Sequence, residues 1–501
     1  MSSSKLLLKG GRLLVHDQNK RVVCRHADLL IHDDRIHEIG DHIQPAEGVV
    51  VIDCTDTIVS PGFIDTHRHQ WQSQQKGLHA DHHLLDYYHS GNLASSHYAP
   101  EDAFWGVLSS SLEAIDAGTT TVVDHAHVNY SPEHSKEAIR GTVASGIRGI
   151  FCYCAHPRVE TWHPELKMDN NPLAEGVMDT FRELAAMQPF GPRGRVRLGF
   201  AMDVMFVRPQ VLKDTFAEVR KLGAHLITSH VTRVSMMDGL PSPVTIMHEN
   251  KLLGPDILLS HANHISADEL SQIETSGAHL SSTPLSELQM GHGHPVCLQP
   301  EFLNLCSLGT DSCSICSSSI PRQMEIALQV TRARRSEEQL RNRKWDGTIG
   351  PSVEEVYNLG TILGAQAVGL EDDIGSLAVG KKADIVVFNG KTPAMLAAAD
   401  CNPIAAIVLH SSVQDVQTVI VDGVIRKENT LLNKIVIPQD IAQKEEMVAN
   451  TSESLQWDEV AREVEKSRQR LKEIRGVVDE EAARNGLIRS FIAAMKLASD
   501  H

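Results

Sequence analysis

Long apolar runs are missing from this sequence. No stretch approaches the ~18 apolar residues of a membrane-spanning helix. The opening Met-Ser-Ser-Ser-Lys-Leu-Leu-Leu-Lys is too short in apolar content for a secretory h-region. Positive charge is also scarce: 47 Lys and Arg face 64 Asp and Glu over 501 residues, a net charge of −17. That argues against the electropositive surface used to bind nucleic acids or anionic membranes. The nine cysteines are odd in number and scattered, which does not make a disulfide framework. Cys313-x-x-Cys316 has no second pair to complete a zinc site and reads as structural. Internal repeats and low-complexity segments are absent. These absences lead to the expectation of a cytoplasmic globular chain whose partner is a small molecule, neither nucleic acid nor membrane.

Histidine, by contrast, is abundant, at 27 residues, and metal chemistry is one reason to carry so many. The chain is long enough for more than one domain. Residues 1–60 alternate short strand-like runs, Leu6–Leu8, Arg12–Val15, Ala27–Ile31, Arg35–Ile39 and Val49–Ile52, with Gly10-Gly11 and Asp33-Asp34 as turns. From 61 to 370, strand-like runs alternate with amphipathic segments such as Glu101–Ala117, Ser131–Ala144, Gln210–Leu222 and Ala267–Thr275. About eight such units fit an α/β fold of the (β/α)8 TIM-barrel type. Strands return at Ile385–Phe388, Ile404–Leu409 and Val416–Val421. The expected division is a β-sandwich domain from residues 1–60 plus 371–435, a catalytic barrel over 61–370, and a C-terminal helical extension over 436–501. The helix predicted at Trp457–Ile474 packs on the body, packs on a second subunit of a homodimer or higher oligomer, or is solvated.

Functional groups of a (β/α)8 barrel gather at the C-terminal ends of its strands. His67 and His69 close the first apolar run at i, i+2, so both project from one face. His230, then His261 and His264, then Asp311 follow later runs. Three imidazoles and one carboxylate suit zinc or iron(II) with room for water.

The pattern resembles the amidohydrolase superfamily, in particular its branch of cytosine, guanine and adenosine-type deaminases and triazine (atrazine-type) hydrolases. The resemblance spans roughly residues 5–430. It rests on Pro61-Gly-Phe-Ile-Asp-Thr-His67-Arg-His69, Gly118-Thr-Thr-Thr-Val-Val-Asp124, Ser260-His261-Ala-Asn-His264 and Gly309-Thr-Asp311. The string Gly375-Ser-Leu-Ala-Val-Gly-Lys-Lys-Ala-Asp384-Ile-Val-Val is the most specific match. The resemblance implies that His67, His69, His230 and Asp311 hold a metal. It also implies that His261 hydrogen-bonds the activated water and that Asp311 takes its proton. Dinuclear relatives use a strand-4 lysine, and Arg195–Asp203 contains none. One divalent ion is therefore expected, zinc ahead of iron(II) or manganese(II). Asp203 is either a pocket-rim residue or a plain loop acid.

Two departures stand out. Deaminases of this branch carry a glutamate three residues after the strand-5 histidine, and here Arg233 stands there. Arginine cannot shuttle a proton at neutral pH, but it can clamp a carboxylate or a carbonyl oxygen. After strand 7, Glu287 falls where it would replace that acid, or is simply a helix-start glutamate. His264, His127, His125, Trp71 and Gln72 are candidate substrate contacts, and His292 and His294 sit in a Gly-rich loop placed to line the pocket. The expected activity is hydrolysis of a C–N bond in a small cyclic or heteroaromatic substrate. A lyase step or amide or ester cleavage is the alternative that Arg233 raises, and a scaffold without catalysis is a distant third.

Overall fold

The computed structural model describes residues 5–169, 171–234, 240–444 and 454–499. Two large sheets organise it. The first draws on both ends of the chain: β1 (Lys5–His16), β2 (Val22–His32), β3 (Arg35–Gly40), β4 (Val50–Asp53) and β5 (Thr57–Pro61). Four C-terminal strands join it, and the contact between the two groups is β5 against Ile385–Asn389. Leu8, Leu13, Leu29, Ile31 and Ile385 fill its core.

Gly10-Gly11 corrects the sequence reading. It is no turn between two strands but a bulge inside β1, where pairing with β2 shifts between Leu8 and Gly11. Gly10 has φ +77°, which glycine alone tolerates easily. A Cβ on Gly11 would lie 2.7 Å from Val59 Cγ2.

The second sheet is parallel and forms the barrel: β6 (Phe63–His69), β7 (Thr119–Ala126) and β8 (Arg148–Ala155). After a hairpin of β9 (Arg158–Thr161) and β10 (Lys167–Asp169) come β11 (Val196–Met202), β12 (Ile227–Val231), β13 (Ile257–His261) and β14 (His279–Ser282). The eighth barrel strand is broken at Gly309-Thr310. Its first piece, β15 (Cys306–Leu308), pairs with β14. Its second, β16 (Asp311–Ser312), pairs with β6 and closes the ring. Barrel strands are buried on both faces, as residues 63–69, 119–126 and 148–155 are throughout, which is why they read as continuous apolar runs. Helices Pro100–Asp116, Pro132–Ser145, Pro209–Lys221 and Ala267–Ser276 fall where the periodicity predicts.

Arg148 ties the barrel to the first sheet. Its guanidinium reaches Asp384 Oδ2 and Oδ1 at 2.8 and 3.1 Å and Asp422 Oδ1 at 3.0 Å, all three residues being buried. This is what the aspartate of the Gly375–Val387 string does. The C-terminal helix Trp457–Arg475 lies on the body against Pro100–Asp116. Ser467 donates to Asp102 Oδ1 at 2.6 Å and accepts from Gln74 Nε2 at 3.0 Å.

Candidate metal centre

His67 and His69 share one face of β6, and Arg68 projects from the other. The buried Arg68 guanidinium donates to Ser110 Oγ at 2.9 Å and Thr310 Oγ1 at 2.9 Å. Asp65, beside it, accepts the Thr310 amide at 3.0 Å. The residue between the two histidines thus locks β6 to the strand that carries Asp311.

Each β6 imidazole is held by its Nδ1. His67 meets the Ser260 hydroxyl at 2.8 Å, and His69 meets the His125 carbonyl at 2.9 Å. A carbonyl only accepts, so His69 Nδ1 carries a proton, and Nε2 is the ring nitrogen left to face the centre. That Nε2 lies 3.2 Å from Asp311 Oδ1, and His67 Nε2 lies 3.4 Å from the same oxygen. Among the described residues His67 Nε2 is buried without a hydrogen-bond partner, and burial drives the His67 pKa well below the ordinary histidine value. Lone pairs facing a carboxylate away from water repel, and a divalent cation between them removes the repulsion. His230 turns in the same way. Its Nδ1 donates to Asp203 Oδ1 at 2.9 Å, and its amide donates to the same oxygen at 3.0 Å, which leaves Nε2 for the centre. One donor atom from each of His67, His230, His261 and Asp311 lies within 4.8 Å of the others. The residues therefore fit a divalent metal, with nitrogen and oxygen donors of the kind zinc takes.

Backbone strain accompanies the inward turn. His261 and Asp311 have φ of +73° and +61°, a region that side chains other than glycine enter at a cost of about 1–3 kcal/mol and that clusters at functional sites.

His261 Nδ1 meets Thr283 Oγ1 at 2.9 Å, with Glu287 Oε1 at 3.8 Å, so its Nε2 is the atom left for the centre. Glu287 is fully buried on the helix Pro284–Gln289. It accepts the Thr283 amide at 2.6 Å and the Ser282 hydroxyl at 3.1 Å. Burial pushes its carboxyl up to about 7. It stands behind His261 and supports it. His292 lies beside His261, ring centroids 4.8 Å apart and nearly perpendicular. Among the described residues both its ring nitrogens are buried without partners, and burial holds its pKa down at about 3.

Trp71 is buried against Tyr98, with His127 on another side at 6.5 Å between centroids. Gln72 is buried and spent on the protein, donating to Tyr87 Oη and accepting from Ser312 Oγ, both at 2.6 Å. His264 is exposed and packs on Gly293, where a Cβ would come within 2.4 Å of its Nε2. Arg233 is not brought into the group. Half exposed, it pairs with Glu269 Oε1 at 2.8 Å, over the start of the helix Ala267–Ser276. Asp203, left open by the sequence, is the centre of a second convergence with His125, His127 and His230. Its place just after β11 was the only signal for it, and Cys154, which adjoins it, gave none.

The sequence profile of the amidohydrolase family matches residues 58–192 and 215–426. A 5'-deoxyadenosine deaminase of Methanobrevibacter smithii is 25% identical over 448 residues, covering 87% of this chain and 95% of that protein. The solved structure of an adenosine deaminase from Xanthomonas campestris with bound zinc superposes with a TM-score of 0.72 at 15% identity, over 94% of this chain and 99% of that one. An atrazine chlorohydrolase from Arthrobacter aurescens complexed with zinc gives 0.70 at 15% identity, over 92% and 100%.

Proposed function

The chain belongs to the amidohydrolase family and is a hydrolase acting on carbon–nitrogen bonds, and from that premise we propose that it deaminates a small aminated heteroaromatic ring. The ion is zinc, held by His67, His69, His230 and Asp311. The observation that carries this reading is the set of buried imidazoles with Nδ1 held by the protein and Nε2 facing Asp311. A divalent ion there lowers the pKa of water toward 7 and supplies hydroxide at neutral pH.

The remaining steps belong to side chains. Asp311 takes the proton of the attacking water and passes it toward the departing amine. His261 orients that water through Nε2, while Thr283 and Glu287 fix its ring from behind. His292, neutral and adjacent, offers an N–H to the ring nitrogen beside the attacked carbon. It supplies a hydrogen bond where the acid is absent at Arg233. The attacking water's two protons, relayed by Asp311, go one to that ring nitrogen and one to the departing amine. Trp71 supplies an aromatic wall. The relatives named for aminated purine nucleosides support this substrate class. Arg233, engaged with Glu269, offers no clamp for an acidic substrate, so the amide, ester and lyase alternatives lose the feature that raised them.

Ammonia release from zinc-replete protein decides it, across aminated purine nucleosides, pterins and triazines. Turnover of at least one amine, lost in Asp311→Asn, is expected. Ring opening or lyase turnover with no ammonia from any of the amines would sink the deaminase reading.

A further inference from the structure

Beside the centre just described, a second group of donors converges and shares His230 with it. His125 Nε2 lies 3.1 Å from Asp203 Oδ2, and His127 Nε2 lies 3.7 Å from the same oxygen. With His230 these residues place one donor atom each within 4.8 Å of the others. Cys154 Sγ adjoins them, 3.4 Å from His125 Nε2 and 3.9 Å from Asp203 Oδ2. Donors about 2.0–2.1 Å from a tetrahedral zinc stand roughly 3.3 Å apart, and the two His–Asp separations, 3.1 and 3.7 Å, bracket that value.

Hydrogen bonding alone does not account for the arrangement. His127 is 1% exposed, yet among the described residues neither of its ring nitrogens has a hydrogen-bond partner. A buried polar group left so costs about 1–3 kcal/mol. His125 is already set for ligation: its Nδ1 meets Thr228 Oγ1 at 3.0 Å, which turns Nε2 toward Asp203. Asp203 uses Oδ1 on His230 and presents Oδ2 to His125 in β7 and His127 just past its end.

We infer that His125, His127 and Asp203, with Cys154 as a fourth donor within reach, form a second divalent-metal site next to the hydrolytic one. The strand-4 position that lacks a lysine is answered by an aspartate, and the partners come from the end of β7. An ion there fixes Asp203, which in turn holds the His230 ring. The site stands independently of which amine is hydrolysed, and it makes His125 and His127 ligands and not substrate contacts.

The test is metal content. Full-length protein is stripped with a dipicolinate-type chelator, reloaded with zinc and dialysed, beside His127→Asn and His67→Asn. About two ions per chain are expected in the unaltered protein and about one in each variant. One ion per chain in the unaltered protein overturns the second site. If that ion is lost in His67→Asn and kept in His127→Asn, the hydrolytic centre survives the failure. Should a variant not fold, cobalt(II) titration of the unaltered protein decides between two saturating steps and one.

Discussion

At the residue scale, Glu287 stands behind His261 and Arg233 pairs with Glu269. Folded Glu287 keeps its proton up to about 7, raised from an ordinary 4.5 by burial. Between those two values the folded chain binds more protons than the unfolded one, so stability falls as pH rises through the window. Glu287→Gln removes that slope. Its Tm relative to the unaltered protein should therefore climb between about pH 5 and about pH 8 in parallel melts. Its kcat should fall about 10–100-fold, because His261 loses its backing. Arg233→Ala should leave kcat/KM within about twofold, since the guanidinium serves a half-exposed ion pair. A loss of kcat/KM of about 100-fold or more, the size of a lost clamp on the reacting group, would return Arg233 to the site.

The eighth barrel strand is the element on which the centre depends. It changes partner at Gly309-Thr310, where Gly309 N donates to Ser282 O at 2.8 Å and Thr310 N donates to His67 O at 3.1 Å. A Cβ on Gly309 would lie 2.7 Å from His67 O and 2.8 Å from His67 N. Gly309→Ala should force β6 and β16 apart and cost about 1–3 kcal/mol in urea unfolding. It should also lower zinc content, because Asp311 moves away from His67 and His69 while every ligand is retained. Full occupancy in a destabilised variant would show that the ligands tolerate a looser seam. The sequence carried the i, i+2 histidines and the strand-end aspartate openly, because side-chain alternation is a local rule. The break in the strand was not legible, because it answers the partner on each side.

For the whole molecule, the Arg148–Asp384–Asp422 contact joins the barrel to a sheet made from both termini. Arg148→Met leaves two buried carboxylates without their cation. A loss of about 3–5 kcal/mol is expected, read as a lower urea midpoint. A change below ~1 kcal/mol would mean that Lys382 and Arg195, which also approach Asp422, suffice. The C-terminal helix adds a second brace, linking Ser467 to Asp102 and to Gln74 in the turn after His69. Sequence periodicity predicts that helix but says nothing of the surface it covers.

What the sequence determined by itself was the repeated strand and helix pattern, the strand-end histidines and Asp311, and the family they resemble. These are written in local spacing and in residue type, and neither needs distant partners to be read. Tertiary structure alone decided that Arg233 turns to Glu269, that Glu287 backs His261 and that Asp203 faces two histidines from another strand. Each of those outcomes depends on which residues, tens of positions apart, the closed barrel brings within a few ångströms, and on how completely it removes them from water.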